Sequence, residues 1–551
     1  MLKTKKVLAM GLAVTMLAAL VGCGSSKSPS TSSEVPATKT QESSNAEASG
    51  TASEEVAEEA YVPTYPIVDE PITVKAVVVN QDMTNERILW QKLAELTNIN
   101  VEFINVESEQ LSVFLAGNEW PDFFLYDAVS DSMLYEYGCL GHKFVDYNDY
   151  KDIMPNLWNI FEKYPLALQS NTQTNGEIYA LPRIEESSTA TMVRLHYRSD
   201  FLEENNIEVP TTLDEFYDVL VKCRDLNNGQ APLIQKINST QYTTALIYPA
   251  FGNNPLPGLY SDNGTIRDDR VEQQYRDFLS YMNKLYEEGL LHQEYLTLDN
   301  NSMLSLVQDG SAIFFAECAM GITAEMFPDG QFHIGTLSPL VANKGDTPRC
   351  VASNPVINSN TFVINADSPY VEEICKLVDI AFATEEVQEG TGLYGLAFNY
   401  GPVGMCIHLN DDNTYDLTMP DGSDGFTTDW MYKNINYNLQ GVMALEGYIT
   451  STPGNSQERQ RGYAEKVFPY ATMEQLPTRF FNYTEEEQAV IDQYSTEFTS
   501  FVDEMRNKFI MGVEDINDDA TWEKYCSQME AYGMNELVAV NQSAYERFMG
   551  N

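Results

Sequence analysis

Strand-like and helical patterns that alternate between residues 72 and 126 constrain the fold most. Ile72 to Val79 is rich in β-branched residues and is bounded by Pro71 and a polar Asn-Gln-Asp sequence. Two further strand patterns follow, over 99–103 and 122–126. Helical patterns separate the three, with apolar Ile88, Leu89, Leu93 and Leu96 in one and Leu111 to Leu115, before Gly117, in the other. This order predicts an open, mainly parallel sheet of the α/β class.

Polar residues come directly after the first and third predicted strands. Gln81 and Asp82 follow the first, and Tyr126 and Asp127 follow the third. Ligands of open α/β sheets bind outside the carboxyl ends of the strands. We therefore expect these four residues to lie at a ligand site.

The later part of the chain predicts more such elements and then a helical C-terminal region. A capping box, Thr212 to Glu215, begins a helix whose apolar positions are Leu213, Phe216, Leu220 and Cys223. Further helices are expected over 271–288 and 369–384, with a strand over 362–364. A second capping box, Thr484 to Glu487, begins a long helix, and two more helices follow around 522–532 and 536–549. The apolar stripe of the long helix is Val490, Ile491, Tyr494, Phe498, Phe501, Met505 and Phe509, and we assign such stripes to the core.

The chain is strongly acidic. It has 33 Lys plus Arg against 81 Asp plus Glu, a net charge of −48. Such a surface repels phosphate backbones and anionic lipids, which argues against a nucleic-acid-binding role. Five histidines in 551 residues leave little material for zinc chemistry.

The first 23 residues predict export and lipid anchoring. Lys3, Lys5 and Lys6 precede an apolar core from Val7 to Gly22, which is short for a membrane span and typical of a signal peptide. The core ends in Leu-Val-Gly-Cys, which resembles the lipobox of bacterial lipoproteins. The resemblance implies that residues 1–22 are cleaved off and that Cys23 carries a diacylglyceryl group. The alternative is an ordinary signal peptide with an incidental cysteine.

Residues 23–60 are predicted to form a lipidated cysteine and a disordered tether between the lipid and the folded body. The segment 24–60 holds ten Ser, four Thr, seven Glu and no aromatic residue. It cannot bury enough apolar surface to order itself. We expect the folded body to begin near Tyr61.

Chemistry-bearing motifs are mostly absent from the sequence. The seven cysteines beyond Cys23 are scattered without CxxC spacing, so a disulfide cannot be assigned. There is no GxGxxG, Walker loop, HExxH or GxSxG sequence. Oxygen-rich turns at 411–413 and 421–425 lack the spacing of an EF-hand loop and are interpreted as solvated loops. We predict neither a metal nor a cofactor.

Several stretches, taken in order, resemble extracellular solute-binding proteins of family 1, in its large lipoprotein branch. The first lobe of that family is matched by LAELTNINVEF at 93–103 and LAGNEWPD at 115–122. The hinge crossing and the second lobe are matched by YALP at 179–182, YRSDFL at 197–202, PTTLDEF at 210–216 and QDGSAI at 308–313. The C-terminal tail is matched by FIMG at 509–512, WEKY at 522–525 and QSAYER at 542–547.

This resemblance implies a two-lobed clamshell like that of periplasmic binding proteins, with a helical C-terminal extension. Lobe 1 is expected to comprise 61–190 plus 345–395, and lobe 2 to comprise 191–344 plus 396–551. Three crossings between the lobes are expected near 183–196, 338–353 and 394–402. Many members of the branch carry a calcium loop after the helix that ends here near Arg224. Residues 225–232 are shorter and lack its closing acidic pair, which puts calcium in doubt.

The resemblance also suggests residues that would hold a ligand in the cleft between the lobes. Sugar sites stack aromatic rings on pyranose faces and direct polar side chains at hydroxyls. Besides Gln81 and Asp82, the candidates are Tyr126 and Asp127 from lobe 1, Arg183 and Glu185 at the first crossing, Tyr242, Glu317 and Trp430 from lobe 2, and Tyr394 at the last crossing. For each, the alternative is a packed aromatic residue or a solvated charge.

The sequence leaves three functions open. The favoured one is a monomeric, lipid-anchored receptor on the outer face of the bacterial membrane, which hands a sugar or oligosaccharide to the permease of an ABC importer. A tethered carbohydrate-processing enzyme is the alternative, and it would need two carboxylates roughly 5–10 Å apart in one cleft. A cell-surface adhesin is third and would predict repeats, which the sequence lacks.

Overall fold

The structure is a computed structural model that describes residues 63–80, 82–117, 120–185, 195–236, 240–316, 327, 329–331, 333–352, 354–423, 428–435, 442–443, 449–451 and 455–550. The predicted signal peptide and tether lie outside these residues. Residues 60–551 form one unit by their contacts. In the part of the chain that is described, no helix combines the length and the apolar character needed to cross a membrane.

Strands and helices alternate through most of this unit. The strands are β1 (Ile72–Val79), β2 (Ile99–Val106), β3 (Phe123–Phe124), β4 (Leu181–Glu185), β5 (Leu195–Arg198), β6 (Leu233–Gln235), β7 (Leu259–Asp262), β8 (Thr265–Asp268), β9 (Phe314–Ala316), β10 (Ile334–Thr336), β11 (Cys350–Val351), β12 (Val356–Thr361), β13 (Val363–Ile364), β14 (Ile407–Leu409), β15 (Thr414–Leu417), β16 (Val442–Met443), β17 (Ile449–Thr450) and β18 (Ala471–Met473).

The longest helix, of 26 residues, lies near the C-terminus. The helices are α1 (Ile88–Thr97), α2 (Ser108–Leu115), α3 (Asp131–Met133), α4 (Pro155–Lys163), α5 (Pro165–Asn171), α6 (Ser199–Glu204), α7 (Leu213–Leu226), α8 (Thr240–Ile247), α9 (Gln273–Glu287), α10 (Asn300–Gln308), α11 (Val371–Asp379), α12 (Ala397–Tyr400), α13 (Thr428–Asn434), α14 (Asn455–Lys466), α15 (Glu485–Ile510), α16 (Asp519–Ala531) and α17 (Met534–Phe548).

The first sheet has the strand order β13-β3-β1-β2. β1 pairs in parallel with β2 and with β3, as the strand–helix pattern predicts. β13 adds an antiparallel edge. The third strand is shorter than predicted and covers only 123–124, because Tyr126 has a φ of 55° and turns the backbone out of the extended conformation.

Helices α1, α4 and α11 bury one face of the first sheet in an apolar cluster, which we call the first core, while α2 packs on the opposite face with Val77 and Phe124. Of the predicted stripe of α1, Leu89 and Leu93 are at most 1% exposed and lie in this core, whereas Ile88 and Leu96 are half-buried, which corrects their assignment to the core. Each buried side chain of this size contributes about 1.5–3 kcal/mol of transfer free energy. Other large members of the first core are Trp90, Phe123, Tyr147, Phe161, Phe362 and Phe398.

A second sheet, with the order β10-β5-β9-β6, lies against a second apolar cluster, which we call the second core. The capping box predicted at the start of α7 is present, with Thr212 Oγ accepting from the Glu215 amide at 3.1 Å. All four predicted apolar positions of α7, namely Leu213, Phe216, Leu220 and Cys223, are buried in the second core. The pairing of β6 with β9 is parallel.

The predicted long helix is present as α15, and its capping box is formed by Thr484 and Glu487. Its stripe is buried in the second core only from Phe498 onward. Val490, Ile491 and Tyr494 are half-buried, which corrects their assignment to the core. Tyr494 lies over Gly533, where a Cβ would stand 2.4 Å from the Tyr494 ring. The φ of Gly533 is 98°, so glycine serves both the close approach and the turn into α17.

A three-stranded sheet, β12-β4-β16, joins segments that are far apart in sequence. β4 is central, with β12 antiparallel and β16 parallel to it. The C-terminal region touches both cores, since α15 packs on the second core and Phe480 lies in the first. The three crossings and the boundaries of the two lobes remain predictions.

Candidate functional site

The carboxyl ends of β1 and β3 lie side by side, as the parallel pairing requires. Asp82 is exposed just beyond β1, and Tyr126 is half-buried just beyond β3. The Tyr126 hydroxyl donates to Met83 Sδ at 3.7 Å, so the two loops meet. Gln81 lies outside the described residues, and Asp127 is described only as backbone in a 3₁₀ turn.

Arg87 joins this edge of the first sheet to a distant part of the chain, and sequence reasoning did not find it. Its side chain is 9% exposed. The guanidinium donates to the carbonyl of Asp82 and, at 2.9 Å, to the carbonyl of Ile435. Burial lowers the pKa of Arg87, while Tyr126 and Asp82 raise it. In the sequence, the one indication of its role was that a basic residue stands five positions after Asp82.

Ile435 directly follows α13, the short helix that carries Trp430. Met431 and Ile435 bury their side chains with Cys406 in a small cluster, at 2%, 0% and 0% exposure. Trp430 is half-buried at the margin of this cluster, and its carbonyl accepts from Nδ2 of the Asn434 side chain at 2.9 Å. The structure therefore links Asp82 and Tyr126, through Arg87, to the helix of Trp430.

Arg183 and Glu185 form an ion pair on β4, the central strand of the joining sheet. The Arg183 Nη2 to Glu185 Oε2 distance is 2.6 Å, and the two side chains are 18% and 13% exposed. Residues two apart on a strand point to the same face, which explains the pairing. The buried Nε of Arg183 has no hydrogen-bond partner among the described residues. This face of the sheet thus presents both a donor and a carboxylate.

Polar candidates also lie in and beside the second sheet. Tyr242 lies on α8, half-buried against the second core. Glu317 follows β9 and lies outside the described residues. Gln235, at the end of β6, is 3% exposed, and its Oε1 has no hydrogen-bond partner among the described residues. The sequence analysis did not select Gln235. The indication in the sequence was an amide side chain at the end of a short apolar run.

Tyr394 is the candidate that the structure places deepest. It is 6% exposed in an apolar cluster with Ala383, Leu396, Ile407 and Tyr415. This position favours the alternative of a packed aromatic residue. Contact of Tyr394 with a ligand remains a prediction, as it does for the other candidates.

The loop after α7, where the resemblance raised calcium, does not fit that metal. The Asn227 amide nitrogen donates to the carbonyls of Gly310 and Ser311, each at 3.2 Å. The Asp225 carboxylate pairs with Arg224 at 2.9 Å. Calcium needs six to eight oxygen ligands turned toward one point, whereas this loop presents donors there. Elsewhere in the described ranges, no group of three His, Cys, Asp or Glu side chains is arranged to hold a metal.

Comparison with known proteins identifies the class that this fold and site define. Residues 80–388, more than half of the chain, match the profile of the bacterial extracellular solute-binding proteins. The chain belongs to that family.

Two relatives, one of them found both as a sequence and as a solved structure, match the chain over most of its length. The fructooligosaccharide ABC transporter substrate-binding protein FusA of Streptococcus pneumoniae is 22% identical over 519 residues, which cover 89% of this chain and 92% of FusA. A solved structure of FusA with kestose is 20% identical, with a TM-score of 0.64, and covers 87% of this chain and 100% of that one. A human-milk-oligosaccharide (HMO)-binding, ABC-transporter-associated solute-binding protein of Bifidobacterium longum infantis is 19% identical, with a TM-score of 0.68, and covers 87% and 99%. These structures confirm the two-lobed α/β clamshell.

Proposed function

We propose that this protein is the receptor of an ABC importer and captures an oligosaccharide between its two lobes. The observation that carries the proposal is the family membership, joined to a match with a fructooligosaccharide receptor over 89% of the chain. The receptor hands its solute to the permease subunits and leaves it chemically unaltered. We propose that it acts as a monomer.

The chemistry of the candidate residues supports a sugar as the solute. A half-buried indole such as Trp430 offers an apolar face to a pyranose or furanose ring. The Arg183–Glu185 pair offers a donor fork and an acceptor to neighbouring hydroxyls. Gln235 adds a buried amide oxygen that would accept from a hydroxyl. Such a mixture of apolar surface and a few oriented polar groups is typical of ligand sites.

We further propose that the receptor is held at the outer face of the membrane by lipid on Cys23. The lipobox-like sequence Leu-Val-Gly-Cys that ends at Cys23 supports this, and the acidic charge of the chain means that a basic patch would not supply the anchor. Two acyl chains would supply the two signals that stable anchoring takes. The segment 24–60 would act as the flexible spacer between lipid and body.

The test is a thermal-shift screen of residues 23–551 with Cys23→Ala, which keeps the tether but takes no lipid. The panel contains kestose, nystose, milk oligosaccharides and fragments of plant polysaccharides. A ligand at 100 times its Kd stabilises the folded state by about 2.7 kcal/mol, so the melting temperature should rise for the cognate glycan. No shift with any glycan would contradict the proposal.

The enzyme alternative is tested on the same samples. After incubation with the glycan that shifts the melting temperature, the glycan is recovered and analysed by mass spectrometry. We expect it unchanged in mass and amount. Shortened products would favour a tethered carbohydrate-processing enzyme instead.

A further inference from the structure

α13 is a short helix, and its C-terminal end is joined by a buried cation to the first sheet. The helix spans seven residues, Thr428–Asn434. The carbonyl of Ile435, one residue beyond, accepts from Arg87 Nη1 at 2.9 Å. The same guanidinium also donates to the carbonyl of Asp82, which follows β1. Arg87 thus connects two backbone segments 353 residues apart in the chain.

Two physical reasons make this connection important for α13. Helices of fewer than about 12 residues are marginal by themselves and depend on tertiary contacts. The last carbonyls of a helix lack partners within the helix and carry partial negative charge, so a cation there stabilises the helix. Arg87 supplies a charged donor at that end, where water has little access.

Apolar packing also holds α13 in place. Met431 and Ile435 are buried against Cys406. A Cβ on Gly401 would lie 2.9 Å from both Cys406 and the Ile435 side chain, so the packing there is close. Trp430 stands at the margin of this cluster and is half-buried. The helix that carries the indole is thus held both by this cluster and, at its C-terminal end, by Arg87.

We infer that Arg87 is a positioning residue for Trp430. By clamping the end of α13 to the loop after β1, it holds the indole ring as a wall of the glycan site. This inference rests on the proposed function, because it assigns Arg87 to the same site. Arg87 acts through α13, and the ligand is contacted by Trp430.

The first experiment needs no ligand. Hydrogen–deuterium exchange is measured on backbone amides of 428–435 in residues 23–551 carrying Cys23→Ala, with and without Arg87→Met. Met keeps an unbranched apolar stem and removes the donor fork. We expect exchange over 428–435 to rise about tenfold in Arg87→Met, because the clamp no longer opposes local opening. In Arg87→Lys, which retains the charge but not the fork, the rise should be smaller.

The second experiment is a double-mutant cycle with kestose, or with the glycan of the screen that shifts the melting temperature most. Arg87→Met should weaken binding about tenfold in the wild-type background. In the Trp430→Ala background it should weaken binding less than about twofold, because the ring that Arg87 positions is already absent.

Arg224→Met is the matched control. Arg224 also donates to a carbonyl at a helix C-terminus, that of Glu288 after α9, at 2.7 Å. It lies beside the loop after α7, among residues that were not proposed to hold ligand. Its loss should lower the melting temperature while leaving both the exchange of 428–435 and the glycan affinity unchanged.

Each result bears on one claim. Unchanged exchange over 428–435 in Arg87→Met would overturn the clamp. An equal loss of affinity in both backgrounds of the cycle would show that Arg87 contacts the glycan itself, and would also overturn the inference. Failure of the unsubstituted chain to bind any glycan would contradict the proposed function and, with it, the role of the ring. The exchange experiment would still decide whether Arg87 holds α13.

Discussion

Trp430 and its neighbour Met431 lie on the same helix, but we expect truncation of the first to affect ligand binding and truncation of the second to affect stability. Met431 is 2% exposed, whereas Trp430 is half-buried. Truncation of a buried apolar side chain leaves a cavity and costs folding free energy. Truncation of a ring at the margin removes mainly the surface that a ligand would cover.

Trp430→Ala should therefore weaken glycan binding by more than about 2 kcal/mol, roughly thirtyfold in Kd, with little change in the unliganded melting temperature. Isothermal titration calorimetry and a thermal melt measure the two quantities. Met431→Ala is the matched control on the same helix, and it should cost about 2–5 kcal/mol of stability. A large fall in the melting temperature of Trp430→Ala with unchanged affinity would show that the indole is structural.

Asp379 is a second informative residue, because it is a carboxyl group 2% exposed in the first core. Its Oδ1 accepts from the Leu157 amide at 2.8 Å, and its Oδ2 accepts from the Asn156 side chain at 2.8 Å. These donors belong to the first turn of α4, so the carboxylate satisfies amides that the helix itself leaves unpaired. Burial nevertheless raises the pKa of Asp379 from 3.8 to about 7.

A raised carboxyl pKa means that the folded state holds the proton more tightly than the unfolded state. The resulting stabilisation is complete below pH 3.8 and is lost as the pH rises through about 7. Asp379→Asn removes this titration. The free energy of unfolding of the wild type, minus that of Asp379→Asn, should fall by a few kcal/mol, on the order of 1.4 per pKa unit, between pH 4 and pH 8.

Denaturant titrations of both proteins across that range measure the difference. Taking the difference removes the pH dependence of other groups, including Asp269, whose pKa burial raises to about 6. The difference can also contain a part that does not vary with pH, which reflects the altered hydrogen bonds to α4. If the whole difference is independent of pH between pH 4 and pH 8, the raised pKa of Asp379 is contradicted.

At the scale of elements, protein donors fasten the end of α7. Asn228 and Gly229 have φ values of 55° and 78°, so the chain reverses tightly after the helix. The Gly229 amide donates to the Arg224 carbonyl at 2.9 Å. The Asn227 side chain then fastens the turn to the segment before β9. The Asn227 side-chain amide therefore joins the end of α7 to the backbone of 310–311.

We expect neither EDTA nor added calcium to shift the melting temperature. Asn227→Ala should lower the stability by about 1–3 kcal/mol, because the two carbonyls lose their donor. Asn228→Gly is a suitable control, since it relieves the left-handed conformation and leaves the Asn227 bonds in place. Stabilisation by calcium, or destabilisation by the chelator, would show that this region binds the metal after all.

At the scale of the whole molecule, the C-terminal region ties distant parts of the body together. α17 docks on the β7–β8 hairpin, where Gln542 Oε1 accepts from the Ile266 amide at 2.7 Å. Its last residue, Phe548, packs against the first core, and its carbonyl accepts from Gln169. The helices predicted as a C-terminal extension are therefore part of the body.

The other whole-molecule prediction concerns the anchor. Cys23→Ala should move the protein from the membrane fraction to the soluble or secreted fraction, because no thiol remains to take the diacylglyceryl group. Fractionation with immunoblotting, and mass spectrometry of the N-terminal peptide, measure this. A conservative control, Cys526→Ala, changes a half-buried cysteine of α16 and should leave localisation unchanged. A Cys23→Ala protein that stays on the membrane would contradict lipid anchoring.

Local sequence patterns determined much of the secondary structure, because burial and capping act over a few residues. β1, α1, β2 and α2, both capping boxes and the helices of the C-terminal region follow from apolar periodicity and end signals. Boundaries were less accurate where tertiary geometry intervenes. The positive φ of Tyr126 shortens β3, and α11 ends at Asp379, before the predicted Thr384.

Only the tertiary structure decided which polar groups meet. Nothing local in the sequence pairs Arg87 with the Ile435 carbonyl, because that contact depends on how α13 packs against the Cys406 cluster. Likewise, an aromatic residue in a polar stretch predicts neither the marginal position of Trp430 nor the burial of Tyr394. Periodicity reports the face that a residue occupies on its own element. The partner that covers that face is set by long-range packing, which a single sequence does not encode locally.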